Sequence, residues 1–187
     1  PVLEDNDKTI GVVSGVLGIR WFDCTVTGME AHAGPTPMAL RKDALLAATR
    51  IMQDVVAAAH RHPPHGRGTV GMVQVFPNSR NVIPGRIKFS IDLRNSTDTL
   101  VDAMAAEVKA FADQVAKEHG VQVHIEMVSS YPAQLFQPEC VQAVGRAAAK
   151  LGYSHMPAVS GAGHDAVYMA KLAPSGMIFI PCLLLHI

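Results

Sequence analysis

The chain has 187 residues, 49% of them apolar, and its 16 Lys and Arg side chains balance its 16 Asp and Glu side chains. This length and apolar share are sufficient for a real hydrophobic core, which excludes a disordered protein. Without net charge there is no long-range attraction to nucleic acid or to an anionic membrane surface, so neither is expected as a partner.

The cysteines and the chain start indicate the compartment. Cys24, Cys140 and Cys182 are scattered, odd in number and never arranged as CxxC, which argues against a disulfide framework and a cysteine zinc site. No apolar run approaches the roughly 20 residues that span a bilayer, and the N-terminus lacks the basic start of a signal peptide. We therefore expect a soluble protein of the reducing cytoplasm.

The first elements alternate between strand and helix patterns. Thr9 to Leu17 is an apolar run with glycines, which predicts a buried strand, and Arg20 to Thr27 alternates as a half-buried strand does. The pair Thr36-Pro37 then predicts the N-cap and first position of a helix, whose apolar residues recur at helical spacing from Leu40 onward. The segment His60 to Pro64 ends this helix, because proline cannot continue the hydrogen-bond ladder.

Two strands follow, from Thr69 to Phe76 and from Arg86 to Arg94, joined by a loop of turn residues. In the second strand apolar and polar residues alternate strictly, so one face packs and the other stays available to solvent or ligand. The spacing then predicts a helix over about Asp98 to His119, ended by Gly120. The last strand has an inward face made of Val121, Val123, Ile125 and Met127.

The order β-α-β-β-α-β over residues 20–130 is the ferredoxin-like arrangement, an α/β (α+β) fold with two helices on one face of an antiparallel sheet. The flanking segments differ in kind. They contain a predicted helix over Glu139 to Leu151, a short helix up to Leu172 and a buried strand over Met177 to Pro181. These helices and strands are of the α/β type but too few to form a complete domain alone. Residues 1–19 and 131–187 are therefore predicted to be parts of a second, incomplete domain.

Three segments of the ferredoxin-like unit contain residues suited to binding or catalysis. His32 lies between Gly28 and Gly34 just before the predicted helix, and is equally compatible with a structural loop and with a ligand site. The loop around Asn81 uses residues typical of a turn, which is its simplest explanation. Arg94, on the polar face at the end of its strand, is either a solvated charge or a bidentate partner for a carboxylate.

A fourth segment, Ser160 to Ala166, combines small residues with the adjacent ionisable residues His164 and Asp165. Small residues around such a pair favour a backbone that contacts a ligand. The segment lacks the glycine spacing of a dinucleotide site and the lysine of a P-loop. No HExxH or GxSxG motif occurs in the chain.

Taken together, these segments resemble the metal-dependent amidohydrolases related to M20 peptidases, which include N-carbamoyl-L-amino acid hydrolases, allantoate amidohydrolases and β-ureidopropionases of the bacterial type. The resemblance extends from Pro1 to about Pro181. The segments that carry it are His32-Ala-Gly-Pro-Thr-Pro-Met38, Arg41-Lys-Asp-Ala44, Asn81-Val-Ile-Pro-Gly85, Asp92-Leu-Arg94, Ser160-Gly-Ala-Gly-His-Asp-Ala166 and Met177-Ile-Phe-Ile-Pro181.

In this family a ferredoxin-like lid domain, which also provides the dimer contact, is inserted into a catalytic domain that holds two metal ions. The resemblance implies that His32 stabilises the oxyanion formed when metal-bound hydroxide attacks the substrate, in its own or the partner subunit's active site. It implies that Arg94 holds the carboxylate of a small substrate and that Asn81 donates to it. The remaining substrate-binding residues that it implies are Gly161, Gly163 and His164.

The chain departs from the family at both ends. In the family, the first metal ligands and the acidic pair lie upstream of the position of Pro1. The family's last metal-binding histidine stands in a different local sequence, which this chain replaces with Leu183-Leu-Leu-His186-Ile187. We therefore expect His186 to be a tail residue and no metal ligand to lie in this chain. The complete enzyme is expected to need Mn²⁺, Zn²⁺, Co²⁺ or Ni²⁺, and this chain alone is expected to bind none tightly and to be inactive.

The leading expectation for function is hydrolysis of N-carbamoyl-L-amino acids to an amino acid, carbon dioxide and ammonia, at a linear C–N bond that is not a peptide bond. The proline after Gly34 favours the carbamoylase branch of the family. Hydrolysis of allantoate or ureidoglycolate is the alternative within the family. A different class is a non-catalytic module for dimerisation or ligand binding, because a ferredoxin-like fold does not determine function.

Overall fold

The computed structural model describes residues 2–182, which divide into two compact units. One unit is Gly18–Pro132, and the other combines the segment that ends at Leu17 with the segment that starts at Ala133. The helices are α1 (Val2–Asp5), α2 (Ala44–Arg61), α3 (Asp98–His119), α4 (Pro138–Lys150) and α5 (Asp165–Met169). The strands are β1 (Ile10–Val16), β2 (Gly18–Thr27), β3 (Ala31–His32), β4 (Arg67–Thr69), β5 (Val73–Phe76), β6 (Val82–Ile83), β7 (Arg86–Asn95), β8 (Gln122–Tyr131), β9 (Gln134–Leu135), β10 (His155–Ser160) and β11 (Met177–Phe179).

The unit Gly18–Pro132 is built on an antiparallel sheet in the order β4-β7-β2-β8, with β5 paired to the first half of β7. Helix α2 connects β2 to β4, and α3 connects β7 to β8, so the predicted ferredoxin-like order is confirmed. The first and last strands are neighbours, with Ile19 of β2 opposite Tyr131 of β8.

The core of this unit lies between the sheet and its two helices. The alternation predicted for the strand from Arg86 is confirmed, because every second side chain of β7 is buried while Arg86 and Lys88 are exposed. Burying a large aliphatic or aromatic side chain contributes about 2 kcal/mol, so this face accounts for much of the unit's stability. The fully buried side chains of the sheet are Phe22, Cys24, Val26, Ile87, Phe89, Ile91 and Leu93.

Arg20 is a buried charge at one end of this core, with a side chain only 8% exposed. Its Nε donates to Asp102 Oδ1 (2.9 Å) and its Nη2 donates to Asp98 Oδ1 (3.1 Å), both on α3. Its Nη1 donates to the carbonyl oxygens of Ile19 and Tyr131. A buried guanidinium whose donors are satisfied in this way ties β2 to α3 and β8.

A second charged network joins the C-terminal end of α2 to α3. Arg61 donates to Asp54 (3.1 Å) on its own helix and to Glu107 (2.8 Å) on α3. His62 Nε2 lies 2.7 Å from the other carboxylate oxygen of Glu107. The hydrogen bonds from His62 and then from Arg61 hold the pKa of Glu107 below its usual value, so this carboxylate stays ionised in the network.

The start of α2 differs from the prediction. The pair Thr36-Pro37 does not begin the helix, which starts only at Ala44, where the Asp43 carboxylate accepts hydrogen bonds from the second and third helical N–H groups (2.9 and 3.0 Å). Leu40, expected on the buried stripe, is 65% exposed. Met38–Leu40 form only a short 3₁₀ helix that ends at Arg41. The guanidinium of Arg41 binds carbonyl oxygens of the preceding loop, which keeps that segment out of α2.

The predicted strand from Thr69 to Phe76 is two strands, β4 and β5, separated by a bend. At the bend the backbone N–H of Met72 donates to Ser90 Oγ (3.1 Å), while the N–H of Ser90 donates to the carbonyl of Met72 (3.1 Å). A hydroxyl thus takes the place of a backbone acceptor, and the ladder with β7 is interrupted. The alternation of polar and apolar residues could not predict this replacement of a backbone acceptor by the Ser90 hydroxyl.

The second half of the unit follows the prediction closely. Helix α3 spans Asp98–His119, and Gly120 ends it in the left-handed conformation (φ 62°), which glycine adopts without steric cost. Met127 of β8 lies on the helix side, opposite Phe22, but is 48% exposed rather than buried. The reason is that β8 is an edge strand of the sheet.

The other unit is organised around β1, which pairs in parallel with β10 and antiparallel with β9 and β11. The predicted strand, helix and strand of these segments appear as β1, α4 and β11, while α5 ends at Met169 rather than near Leu172. Strand β10 was not predicted, because Pro157 within it is unusual for a strand. The buried cluster of this unit is Val13, Val16, Phe136 and Ala170. Among residues 2–182 no helix is both long and apolar enough to cross a bilayer.

Candidate functional site

The segments of His32 and Asn81 meet in a small two-stranded sheet formed by β3 and β6. Ala31 lies opposite Ile83, and His32 lies opposite Val82. The backbone N–H of Ala33 then donates to the carbonyl of Asn81 (2.8 Å). This pairing joins the backbones of the two segments that contain these predicted site residues, although they are far apart in the sequence.

Two glycines allow the close backbone approach that this pairing needs. The N–H of Gly28 donates to the carbonyl of Gly85 (2.8 Å) at the base of the small sheet. A Cβ on Gly28 would collide with the carbonyl oxygen of Lys42, and a Cβ on Gly85 would collide with Glu30. These positions therefore require glycine for space, independently of any ligand.

The exposed imidazole of His32 is held by its own loop. The backbone N–H of Gly34 donates to Nδ1 (3.1 Å), and Thr36 Oγ1 donates to the carbonyl of His32 (2.7 Å). Arg41 fixes the two ends of this loop, because its Nη2 donates to the carbonyl oxygens of Ala33 (2.6 Å) and Thr36 (3.0 Å). The ring is thus positioned although its surface is open.

The contributions of Gly34 and Arg41 do not follow from the sequence patterns described above. Both residues lie in segments that carry the family resemblance, but an early helix start would place Arg41 inside a helix. One signal was present. Pro35 and Pro37 each disfavour a helical conformation in the residue before them, which argues for a loop up to this point.

The side chain of Asn81 is oriented by its neighbour in the loop between β5 and β6. Ser79 Oγ donates to Asn81 Oδ1 (3.0 Å), which uses the acceptor end of the amide. In the same loop Asn78 has a positive φ of 59°, a conformation that asparagine tolerates better than most residues. The turn chemistry expected from the sequence is therefore present, and a site role for Asn81 remains a prediction.

Arg94 lies at the far end of β7, on the polar face of the sheet. Its Nε and Nη2 donate to the two carboxylate oxygens of Asp92 (2.9 and 2.5 Å). This bidentate pair raises the pKa of Arg94, which keeps the guanidinium charged. A ligand carboxylate would have to compete with Asp92 for this edge of the guanidinium or bind at another edge.

A concavity of about 300 Å³ lies on the open face of the sheet, next to the Asp92–Arg94 pair. Trp21 contributes an apolar wall and packs edge-on against Tyr131, with ring centroids 6.0 Å apart. Acidic, hydroxyl and apolar groups therefore adjoin the charged pair, a mixture suited to a small polar ligand. The side chains that line it include Trp21, Asp23, Thr69, Ser90, Asp92 and Val128.

His32 and Arg94 do not converge within one copy of the chain. Strand β6, which pairs with the strand of His32, is joined through Pro84 and Gly85 to the Arg86 end of β7, whereas Arg94 lies eight residues further along that strand. At a rise of roughly 3.3 Å per residue, this spacing corresponds to about 26 Å. The unit therefore presents His32 with Asn81 at one end of the sheet and Arg94 at the other.

The segment Ser160 to Ala166 lies in the other unit, and the buried hydroxyl of Ser160 makes hydrogen bonds within this segment. Ser160 Oγ is 2.7 Å from His164 Nε2, donates to the carbonyl of Ala162 (3.0 Å) and accepts from the N–H of the same residue (3.1 Å). A Cβ on Gly161 or Gly163 would meet no described atom within 4 Å. Packing among the described residues thus does not require these glycines.

A metal ion in a protein is held by several His, Cys, Asp or Glu side chains that converge on one point. Within residues 2–182 no group of three His, Cys, Asp or Glu side chains is arranged to hold one, so these side chains do not fit a metal centre.

Burial raises the pKa of the Cys24 thiol to about 12, which keeps this sulfur protonated. His186 lies outside the described residues.

Known proteins resemble the chain over nearly its whole length. It is 45% identical over 182 residues to N-carbamoyl-L-amino-acid amidohydrolase from Rhizobium meliloti, an alignment that covers 97% of this chain and 44% of the relative. It is 31% identical to allantoate amidohydrolase from Bacillus subtilis, with 96% of this chain and 43% of the relative covered. The crystal structure of an amidase of the hydantoinase/carbamoylase family from Burkholderia multivorans matches with a TM-score of 0.96 at 49% identity, over 98% of this chain and 44% of that chain.

The chain therefore spans less than half the length of the relatives that it matches. The family model described as the peptidase dimerisation domain of the M20 group matches residues 14–120, which is more than half of the chain. This range includes the segments of His32, Asn81 and Arg94. The protein belongs to the M20 peptidase dimerisation domain family.

Proposed function

We propose that the protein is a metal-dependent amidohydrolase of linear C–N bonds, acting on N-carbamoyl-L-amino acids, and that this chain supplies the lid-side substrate contacts and the dimer contact. Hydrolysis would release the amino acid, carbon dioxide and ammonia. The Rhizobium meliloti relative, named for this substrate class, supports the proposal at 45% identity over nearly the whole chain. A divalent metal, Mn²⁺, Zn²⁺, Co²⁺ or Ni²⁺, would supply Lewis acidity in the whole protein.

The role proposed for His32 is to donate a hydrogen bond to the oxygen that becomes negatively charged when the carbamoyl carbon is attacked. An exposed ring whose Nδ1 already accepts from Gly34 supports this role, because the other nitrogen is available to a ligand. A preorganised donor at such an oxyanion contributes about 3 kcal/mol to the transition state. Asn81, on the adjoining strand segment, would donate from its amide nitrogen to the same substrate.

The role proposed for Arg94 is to bind the substrate carboxylate. A planar guanidinium matches a carboxylate in geometry, and the bidentate pair with Asp92 keeps it charged and oriented. Gly161 and Gly163 would let the backbone approach the ligand, with His164 held by Ser160 beside them.

The observation that carries the proposal is the position of the two residues along the sheet: the strand paired with that of His32 adjoins the Arg86 end of β7, whereas Arg94 lies about 26 Å further along β7 at roughly 3.3 Å per residue. An N-carbamoyl amino acid is far shorter than this distance, so one lid cannot bring both residues to the same substrate. A site that takes Arg94 from one subunit and His32 with Asn81 from its partner removes the difficulty. Dimerisation would then be part of the mechanism.

The surface that we propose for the dimer contact is the β4–β5 edge of the sheet together with the adjacent face of α2. Three apolar side chains there are exposed, Val56 (44%), Met72 (46%) and Val73 (47%). A shallow groove beside them is lined by further apolar residues, including Met52 and Val70. Contiguous exposed apolar groups next to an open strand edge are typical of a surface that pairs with another chain.

The test of activity uses a chimaera in which residues 2–182 of this chain replace the matching segment of the Rhizobium meliloti relative. Ammonia release is measured with N-carbamoyl-L-amino acids, allantoate and ureidoglycolate, with each metal in turn. We expect turnover of the carbamoyl substrates and a loss of about a hundredfold in kcat for His32→Ala. Preference for allantoate would support instead the function named for the Bacillus subtilis relative.

The non-catalytic alternative has a distinct signature. A chimaera that dimerises and binds metal but hydrolyses none of the three substrates would contradict the proposed function. The 187-residue chain by itself is proposed to be inactive under the same conditions. Metal-dependent ammonia release by that chain alone would contradict this part of the proposal.

The shared site is tested by mixing two inactive chimaeras, one with His32→Ala and one with Arg94→Ala. In a mixed dimer, one of the two sites regains both residues if they come from different subunits. Random exchange of subunits should therefore restore about a quarter of the wild-type activity, since half of the dimers are mixed and each has one intact site. Absence of any recovery, with exchange verified by mass, would mean that both residues act within one subunit.

A further inference from the structure

The loop of His32 contains one peptide group that is bound on both of its sides. This is the peptide that joins Ala33 to Gly34, whose carbonyl oxygen accepts from Arg41 Nη2 (2.6 Å) and whose N–H donates to His32 Nδ1 (3.1 Å). In a trans peptide the carbonyl and the N–H point in opposite directions, so one planar group lies between the guanidinium and the imidazole. The charge of Arg41 is thereby linked to the ring of His32.

The hydrogen bond to Nδ1 determines which nitrogen of the ring carries the proton. A backbone N–H can only donate, so His32 Nδ1 must be an acceptor without a proton. The neutral ring then has its proton on Nε2, which is the donor that the oxyanion contact requires. A cation on the carbonyl side polarises the peptide and strengthens its N–H as a donor.

We propose that Arg41 is a positioning residue, which fixes the Ala33–Gly34 peptide so that His32 keeps its proton on Nε2 and presents it to the substrate. The inference rests on the proposed function of His32 for its catalytic meaning, but its structural part does not. Arg41 also donates to the carbonyl of Thr36 from Nη2 (3.0 Å) and Nε (3.2 Å). Its planar fork thus holds both ends of the loop, which the single ammonium of a lysine reproduces only in part.

The structural part is tested by nitrogen NMR of the 187-residue chain labelled with ¹⁵N-histidine. The chain has 9 histidines, and the signals of His32 are identified by their loss in His32→Gln. We expect the neutral wild-type ring to be protonated on Nε2. Arg41→Ala should populate both tautomers, and Arg41→Lys should lie between the two, because lysine restores the charge but not the fork.

Arg50→Ala is the matched control. Arg50 lies in α2, close to Arg41 in the sequence, but its guanidinium binds Glu118 rather than the loop of His32. This variant should leave the tautomer of His32 unchanged. A wild-type ring protonated on Nδ1 would overturn the proposal without any variant. So would an Arg41→Ala ring with the wild-type tautomer, and Arg41→Lys supplies the comparison if Arg41→Ala does not fold.

The catalytic part is read in the chimaera described above. Arg41→Ala should lower kcat about tenfold to a hundredfold with little change in KM, because a misplaced donor affects the transition state more than substrate binding. Arg41→Lys should recover part of this loss. A shifted tautomer with unchanged kcat would refute the function of His32 and keep the role of Arg41, whereas an unchanged tautomer with lower kcat would refute the role of Arg41 alone.

Discussion

Arg20 and Arg50 show how differently two arginines of one domain are used. The side chain of Arg20 is 8% exposed and binds two carboxylates of α3 and two backbone carbonyls. Arg50 is 36% exposed, and its partner Glu118 is 41% exposed. Water already solvates the second pair, so its ion pair contributes little. The guanidinium of Arg20 is buried instead, and its removal breaks its contacts with α3 and with two backbone carbonyls at once.

We therefore predict that Arg20→Ala lowers the free energy of unfolding by about 3 kcal/mol, near the lower end for breaking a buried pair, because Asp98 and Asp102 can hydrate. The same change at Arg50 should cost about 0.5 kcal/mol. Urea unfolding of both variants measures the difference. Equal losses would mean that the buried contacts of Arg20 contribute no more than an exposed ion pair.

Glu107 makes stability depend on acidity. Its pKa lies below the ordinary value of 4.5, because the hydrogen bonds from His62 and Arg61 favour the charged form. A carboxyl whose folded pKa is lowered stabilises the fold above its unfolded pKa, and this contribution is lost as the pH falls through the folded pKa. Its exposure of 39% limits the contribution to about 1 kcal/mol or less.

The corresponding prediction concerns Glu107→Gln. This variant should be less stable than the wild type from neutral pH down to about 4.5, and the difference should shrink below that value. Urea unfolding at several pH values between 7 and 3 measures it. Glu126→Gln, at an exposed position of β8, is the control, and an equally large effect there would refute the role of the network.

At the scale of elements, α2 was harder to predict than α3. Both follow good capping residues in the sequence, but the pair Thr36-Pro37 offered a start that the structure does not use. The true cap, Asp43, binds two N–H groups, and the earlier segment is kept out of the helix by Arg41. A contact between a side chain and a backbone carbonyl several residues away leaves no periodic trace in a sequence.

The two possible caps lead to opposite expectations. Asp43→Ala should lower the free energy of unfolding by about 1 kcal/mol, because two helical N–H groups lose their acceptor. Thr36→Ala should change it by less than about 0.5 kcal/mol, since Thr36 lies in a surface loop. Thermal or urea unfolding compares them, with Thr97→Ala at the start of α3 as a known cap for scale. A larger loss of unfolding free energy for Thr36→Ala than for Asp43→Ala would support a start of α2 at Thr36-Pro37 instead.

The same contrast explains how much of the fold follows from the sequence. The strict alternation of β7, the length of α3 and the stop at Gly120 are local patterns, and all were predicted correctly. The break between β4 and β5 depends on the hydroxyl of Ser90, and the exposure of Met127 depends on the edge position of β8. Such features arise from neighbours in space, so the alternation alone could not predict them.

For the candidate site, the sequence indicated the residues but not their arrangement. His32, Asn81 and Arg94 were named from motifs, and their roles remain predictions. The pairing of β3 with β6, which joins the first two, depends on a contact between distant segments. The distance of Arg94 from both follows from the strand length of β7, which a motif does not state.

At the scale of the whole molecule, association should depend on the β4–β5 edge. Val56→Asp introduces a charge into the proposed contact, so we expect the dimer to dissociate at concentrations where the wild type remains associated. Val128→Asp is a matched control on β8, at the opposite edge, where the valine is 51% exposed. Sedimentation velocity measures both. Dissociation of the Val128 variant instead would move the contact to the other edge.

The pairing of Ile19 with Tyr131 has a consequence for protein engineering. The chain enters and leaves the unit Gly18–Pro132 on adjacent antiparallel strands, where opposite Cα atoms are about 5 Å apart. A host protein would need only to supply two backbone ends at that spacing, such as those of a tight surface turn. The unit is therefore suited to transplantation as a cassette, either into a relative or into an unrelated scaffold.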